Sequence, residues 1–107
     1  MTEKETIKDG LREEFYENGQ LEEKGNYKTG KRDTPWEMFY ENGQLKIRKN
    51  YKKGKQDGLY EEFYENGQLK LRGTFKLGKE DGLGEYFDED GNLTNTEEYK
   101  KDVLISP

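Results

Sequence analysis

One hexapeptide, Tyr-Glu-Asn-Gly-Gln-Leu, occurs three times in this chain, at Tyr16 to Leu21, Tyr40 to Leu45 and Tyr64 to Leu69, each copy 24 residues after the last. An eroded fourth copy, Asp88-Glu89-Asp90-Gly91-Asn92-Leu93, keeps the same phase. Internal repetition at this period marks a quasi-linear array in which each unit packs on its neighbours. The spacing divides a single domain, 1–107, into units at 9–32, 33–56, 57–80 and 81–104. Such arrays present a binding surface more often than a reaction centre.

The content of each unit fixes its shape. In the third copy, Leu59 to Tyr64 is rich in aromatics and too short for a stable helix, and Asn66-Gly67 follows at once. Asn-Gly between two such runs is a strong hairpin signal, because a type I′ turn needs positive φ at both central residues. The returning strand, Leu69 to Phe75, shows apolar alternation at Leu69, Leu71 and Phe75. Four hairpins in series predict an all-β, elongated, single-layer antiparallel meander of about eight strands. If Asn66 and Gly67 form a two-residue loop, paired residues have numbers summing to 133: Tyr64 faces Leu69, Phe63 faces Lys70, Glu62 faces Leu71, Glu61 faces Arg72 and Tyr60 lies over Gly73. A three-residue loop with Gly67 as a bulge would shift every partner by one. The same arithmetic predicts ion pairs Glu61–Arg72, Glu37–Arg48 and Glu13–Lys24. It also makes Gly67, in a tight turn, less replaceable than Gly78 in a looser connection. Val103-Leu104-Ile105 is expected to complete a last strand or cover the sheet edge.

Composition agrees with a thin core. Only 28% of residues are hydrophobic while 40% are charged, and the apolar area sits in eight Tyr, five Phe and one Trp that recur with the repeat. One face is predicted to carry Tyr16, Tyr27, Trp36, Tyr40, Tyr51, Tyr60, Tyr64, Phe75, Tyr86 and Tyr99. The chain has no Cys, His or Ala, and its only Ser is Ser106. Imidazole acid-base chemistry, disulfides and the usual structural zinc sites are therefore excluded, and no metal or cofactor site is expected. Glu13, Glu37, Glu61 and Glu85 occupy one position in every unit, which reads as architecture rather than a unique acid and base. No catalytic residue, and no enzyme, is expected. A net charge of −5 argues against nucleic acid as the partner. No long apolar run spans a membrane, and the polar opening before Gly10 lacks the apolar centre of a signal peptide. The expected location is the cytoplasm, or the cell surface or exterior if a signal segment precedes the sequence.

The second unit departs from the others, reading Asp33-Thr34-Pro35-Trp36 where they have Asp-Gly-Leu and a different fourth residue. Pro35 belongs at a strand start or bulge. Trp36 replaces Arg12, Tyr60 or Gly84, and Met38 replaces Glu14, Glu62 or Tyr86, which makes this the most apolar version of the strand. The bland explanation is local repacking around the lost glycine. The functional one is a contact hot spot, where Trp is enriched.

The motif Asp57 to Leu69, with Gly73-Thr74-Phe75-Lys76-Leu77-Gly78-Lys79 after it, resembles the MORN repeat in its second, bacterial variant, and specifically the YwqK family of proposed toxin–antitoxin antitoxins. The resemblance covers about residues 9 to 101, with the fourth copy as a cap. It implies β-hairpin repeats used as an interaction scaffold and no catalytic residues. The family name points to neutralisation of a cognate bacterial toxin by direct binding. The resulting expectation is a protein-binding module of antitoxin or immunity type that uses Trp36, Met38, Tyr40, Tyr60 and Tyr64. The alternative is a peripheral membrane or cell-surface protein meeting anionic lipid or a host component through Lys49, Lys52, Lys53 and Lys55. Self-association through edge strands is also open to such a sheet.

Overall fold

Each copy does form a hairpin, and the hairpins join into one open antiparallel sheet. The computed structural model describes residues 9–106; the polar opening segment read above as no signal peptide lies outside them. The strands are β1 (Gly10–Phe15), β2 (Leu21–Lys28), β3 (Lys31–Phe39), β4 (Leu45–Lys52), β5 (Lys55–Phe63), β6 (Leu69–Lys76), β7 (Lys79–Glu80), β8 (Gly82–Phe87), β9 (Leu93–Lys100) and β10 (Val103–Ser106). They pair in sequence order, with β7 and β8 both lying against β6. Ten strands replace the expected eight for two reasons. The fourth unit's first strand is interrupted at Asp81, and Val103–Ser106 does form a closing strand. No helix covers either side among the described residues, so the sheet measures 54 × 34 × 17 Å and is one layer thick. Likewise, none of them is in a helix long and apolar enough to cross a membrane.

The body of each hairpin has the register that the Asn-Gly position predicts: Glu62 pairs with Leu71, Glu61 with Arg72 and Tyr60 with Gly73. The turn does not. Gly67 has φ 91° and Asn66 is not in the positive region. The Tyr64 N–H donates to Gln68 O (2.8 Å) and the Gly67 N–H to Tyr64 O (2.9 Å). These two bonds close a three-residue loop, Glu65-Asn66-Gly67, with Gly67 as the bulge residue. The Asn66 carboxamide helps by accepting from the Gln68 N–H at 2.8 Å. Phe63 accordingly pairs with Leu69 rather than Lys70, and Tyr64 meets Gln68 rather than Leu69. The one-residue shift is confined to this end because a second irregularity at Lys70 restores the register.

Two-residue turns with positive φ at both positions lie instead between the hairpins, at Thr29-Gly30, Lys53-Gly54, Leu77-Gly78 and Lys101-Asp102. Gly78 (φ 87°) is therefore held as tightly as Gly67, and the expected difference between them loses its basis. The last three of these turns are tied to the unit before them. Gly54, Gly78 and Asp102 donate their N–H to the carbonyls of Arg32, Gln56 and Glu80 at 2.8–3.0 Å.

Asp-Gly-Leu forms a wide bulge. Asp57 to Leu59 lie opposite Asn50 alone, and Thr34 to Trp36 lie opposite Gly25 alone, which is how Pro35 is accommodated in an interior strand. Gly10, Gly58 and Gly82 adopt φ of 108–114° there, and Thr34 stands at φ 60° in their place. A β-branched residue in the left-handed region is strained. Thr34→Gly should raise stability by about 1 kcal/mol, seen as an upward shift of the melting temperature by several degrees. A lower melting temperature would show that the second unit has adapted to its threonine.

The two faces differ. Glu13, Lys24, Glu37, Arg48, Glu61, Arg72 and Glu85 cross one side as an alternating row. Pairing within hairpins was expected; the contacts made run mostly between them. Lys24 reaches Glu37 (3.9 Å), Arg48 bridges Glu37 (3.1 Å) and Glu61 (3.4 Å), and Arg72 binds Glu85 (2.7 Å). Each pair is half-exposed and contributes about 0.2–1 kcal/mol, so the row stitches neighbouring units more than it stabilises any one.

Candidate binding face

The other side is built around Trp36, the one apolar side chain among the described residues that is buried (6% exposed). Its ring lies on the bare backbone of Gly25, in the preceding hairpin. The indole N–H donates to Asn26 O (3.2 Å). Tyr27 meets the ring edge-on at 5.4 Å and 86°, and the Arg32 guanidinium covers it at 4.6 Å. Arg32 also lies 5.4 Å from the Tyr51 ring, and Arg12 lies 5.5 Å from that of Tyr27. Stacked cations of this kind are held by the ring quadrupole. Arg12, Glu14, Glu23, Tyr27, Arg32 and Trp36 outline a depression of about 120 Å³.

Of the five expected contact residues, the structure brings three together. Lys49 in β4 pairs with both Trp36 and Tyr60, and its strand neighbour Ile47 pairs with both Met38 and Glu62. Trp36, Met38 and Tyr60 thus share one face around Lys49 and Ile47. Tyr40 and Tyr64 stand apart, at the first residue of the YENGQL turns. Their hydroxyls donate forward to the carbonyls of Phe63 (2.7 Å) and Phe87 (2.8 Å), as Tyr16 does to Phe39 (2.6 Å). Asn18, Asn42 and Asn66 reach forward in the same way to the carbonyls of Glu41, Glu65 and Glu89 at 3.0–3.3 Å. Tyr and Asn of the hexapeptide are latches between units. Of the ten rings expected on one face, Tyr27, Trp36, Tyr51, Tyr60, Phe75, Tyr86 and Tyr99 are on it, while Tyr16, Tyr40 and Tyr64 serve the turns.

Tyr60 pairs with Gly73 but does not cover it: the atom nearest to where a Cβ on Gly73 would stand is Glu80 Oε2, at 3.8 Å. The Tyr60 ring leans on Phe75 (5.7 Å), and its hydroxyl donates to Glu62. Tyr60, Glu62, Phe75, Glu80 and Tyr86 surround a second hollow of about 220 Å³, floored by Gly73 and Gly84. Beyond it the hydroxyls of Tyr86 (2.9 Å) and Tyr99 (3.0 Å) both donate to Glu97 Oε1. The face therefore passes from arginines stacked on rings at its N-terminal end to carboxylates bound by phenols at the other.

Burial, then the bond to Glu97 and its charge, push the Tyr86 phenol up to about 12. A neutral form favoured by the fold gives stability that is intact below the unfolded tyrosine value of about 10 and is lost as pH rises towards 12. Melting temperatures between these limits should fall less steeply for Tyr86→Phe than for the parent. Parallel slopes would remove Tyr86 as a cause.

Arg32, Gln56 and Glu80 are the residues that sequence reasoning passed over. They are equivalent positions in successive units, and comparing the copies position by position was the signal available. Lys49, of the alternative lipid set, lies in mid-strand beside Trp36, whereas Lys52, Lys53 and Lys55 surround the Lys53-Gly54 turn. No group of three or more potential ligating side chains among the described residues could hold a metal ion.

Residues 8–29, 32–53, 56–77 and 80–101 each match the MORN repeat variant, one match for each hairpin. The chain belongs to the MORN repeat variant family. The matched MORN segments cover most of the sequence and end on the two-residue turns between hairpins, at Thr29, Lys53, Leu77 and Lys101. No curated protein gives a significant match to this MORN chain.

Proposed function

We propose that this MORN chain is a non-enzymatic protein-interaction module that engages its partner through the face carrying Trp36, Met38 and Tyr60. One observation carries this reading: three positions on the tryptophan face change chemical character from unit to unit beside the recurring aromatic of Tyr27, Tyr51, Phe75 and Tyr99, while the glutamate and phenylalanine positions of the other face do not change. On the ion-pair side, Glu13, Glu37, Glu61 and Glu85 are identical, and so are Phe15, Phe39, Phe63 and Phe87, two residues further on. On the tryptophan side, equivalent positions read Arg12, Trp36, Tyr60 and Gly84, then Glu14, Met38, Glu62 and Tyr86, then Gly25, Lys49, Gly73 and Glu97. Positions that stack one unit on the next must stay alike along an array, whereas positions that read a partner are free to differ. In its most specific form the module is an antitoxin or immunity protein whose partner is a toxin.

The test is capture of protein partners on the immobilised chain, comparing Met38→Glu with Tyr60→Ala on one face and Lys24→Ala with Arg72→Ala on the other. The first pair should abolish capture and the second should leave it intact, with both variants shown to be folded by circular dichroism. Loss confined to the ion-pair variant would overturn the assignment. A captured protein that arrests growth when produced alone, and no longer does so beside this chain, would establish the antitoxin role; a harmless one would exclude it.

A further inference from the structure

One position on the tryptophan face steps through charge along the array. Arg32, Gln56 and Glu80 are equivalent residues of successive units. Each pairs with the aromatic of the strand before it, Tyr27, Tyr51 or Phe75, and so shares that side of the sheet. The series runs positive, neutral, negative about a central member. Among the described residues neither Arg32 nor Glu80 forms an ion pair. Glu80 is raised by burial and then by the like charges of Asp102 and Glu97.

We propose that the tryptophan face is covered by a second copy of the same chain, related by a two-fold axis running parallel to the strands at the level of Gln56, so that Arg32 of each copy meets Glu80 of the other. The proposal rests on the face-binding reading above and names the occupant. A two-fold contact must be self-complementary, because each patch meets itself in reverse order. Such an axis reverses the order of units while keeping each position along the strands. Charges that sum to zero about a neutral centre meet that condition, whereas a uniformly charged face would not.

Shape follows the same symmetry. The axis that brings Arg32 to Glu80 brings Lys49 to Gly73, side chain against bare backbone, and brings the Trp36 site, whose ring is already buried beneath Arg32, to Gly84. Both glycines are buried under the hollow beside Tyr60. The two copies of Glu62 approach the axis and oppose the contact, but each already accepts a hydrogen bond from a Tyr60 hydroxyl. Area is sufficient: a face 54 by 34 Å exceeds the ~800 Å² per partner typical of a stable interface, so partial overlap is enough. A sheet whose buried apolar side chains come to Trp36 alone among the described residues is also one that gains from a second layer.

The experiment is sedimentation equilibrium on the full chain over two decades of concentration, at low and at physiological salt. The parent should reach twice the chain mass, more readily at low salt. Arg32→Glu and Glu80→Arg should each raise the dissociation constant by at least about tenfold. An equimolar mixture of the two variants should recover the dimer, because each opposed pair then joins unlike charges again. Circular dichroism checks that both fold; should Arg32→Glu fail to, Glu80→Arg alone must weaken the dimer. A parent that stays monomeric overturns the proposal. So does a dimer indifferent to both reversals, which would place the contact on the edge strands β1 or β10. In either case, capture of another protein that is lost in the Met38→Glu with Tyr60→Ala variant would leave the face reading standing without this occupant.

Discussion

Gly25→Ala should destabilise the protein by about 3–5 kcal/mol, the cost of expelling a tryptophan from its site, while Gly73→Ala should change it little. A Cβ on Gly25 would press into the face of the Trp36 ring far inside van der Waals contact, with Cγ only 2.7 Å away, and the backbone beneath cannot withdraw from a paired strand. At Gly73, the equivalent position two units on, the nearest atom stands 3.8 Å off and belongs to the flexible end of Glu80. Neither glycine has positive φ, so the contrast isolates the contact from backbone strain. Domains of this size have about 5–15 kcal/mol to lose, so the first variant should melt far below the parent. Trp36 is the chain's only tryptophan, so its emission should shift towards that of a solvated indole in the same variant. An unchanged melting temperature would mean that the indole does not rest on Gly25.

Removing the three tyrosine latches together, Tyr16→Phe with Tyr40→Phe and Tyr64→Phe, should cost about 3 kcal/mol. Each hydroxyl makes one hydrogen bond of 2.6–2.8 Å to a backbone carbonyl of the next unit, and such a bond is worth about 1 kcal/mol net. The three act at separate junctions, so their effects should add. Tyr27→Phe is the matched control, because the third unit already carries Phe75 at that position. Denaturant unfolding of the single, triple and control variants decides the matter. A triple variant as stable as the control would reduce the latches to incidental contacts.

The latches also mark where the sequence stopped being readable. Hairpin, period and strand register were visible because Asn-Gly fixes a turn and pleat alternation fixes everything within reach of it. The turn type was not, since a two-residue and a three-residue loop make the same demand on Gly67. The true two-residue turns carry Thr29, Lys53, Leu77 and Lys101 at their first position, residues that do not announce positive φ. Trp36 and Met38 were legible because the second unit departs from the others there, and Tyr60, read from the row of rings, joins them through Lys49, which pairs with both Trp36 and Tyr60. Tyr40 and Tyr64 were misleading for the opposite reason: their recurrence looked like a surface of rings, but its cause is a carbonyl 23 residues further on, which only stacking reveals. Ion pairs expected within hairpins formed mainly between them because each basic side chain lies between two glutamates, and local pairing rules consider only one.

The latches all point the same way along the chain, and an array joined like this has a direction. Through these latches a unit offers acceptors to the one before it and donors to the one after it, while its turn N–H donates back to the unit before, so a duplicated unit inserted inside finds partners on both sides. The fourth unit carries neither donor. There Tyr gives way to Asp88, whose carboxylate turns back to accept from the Asp90 and Asn92 N–H groups (2.9 Å each), and the forward-reaching Asn gives way to Asp90. The eroded fourth hexapeptide thus satisfies its own turn instead of latching forward. Gene duplication could lengthen such a protein from within, with no redesign of its ends, and each added unit would bring another stretch of face free to vary.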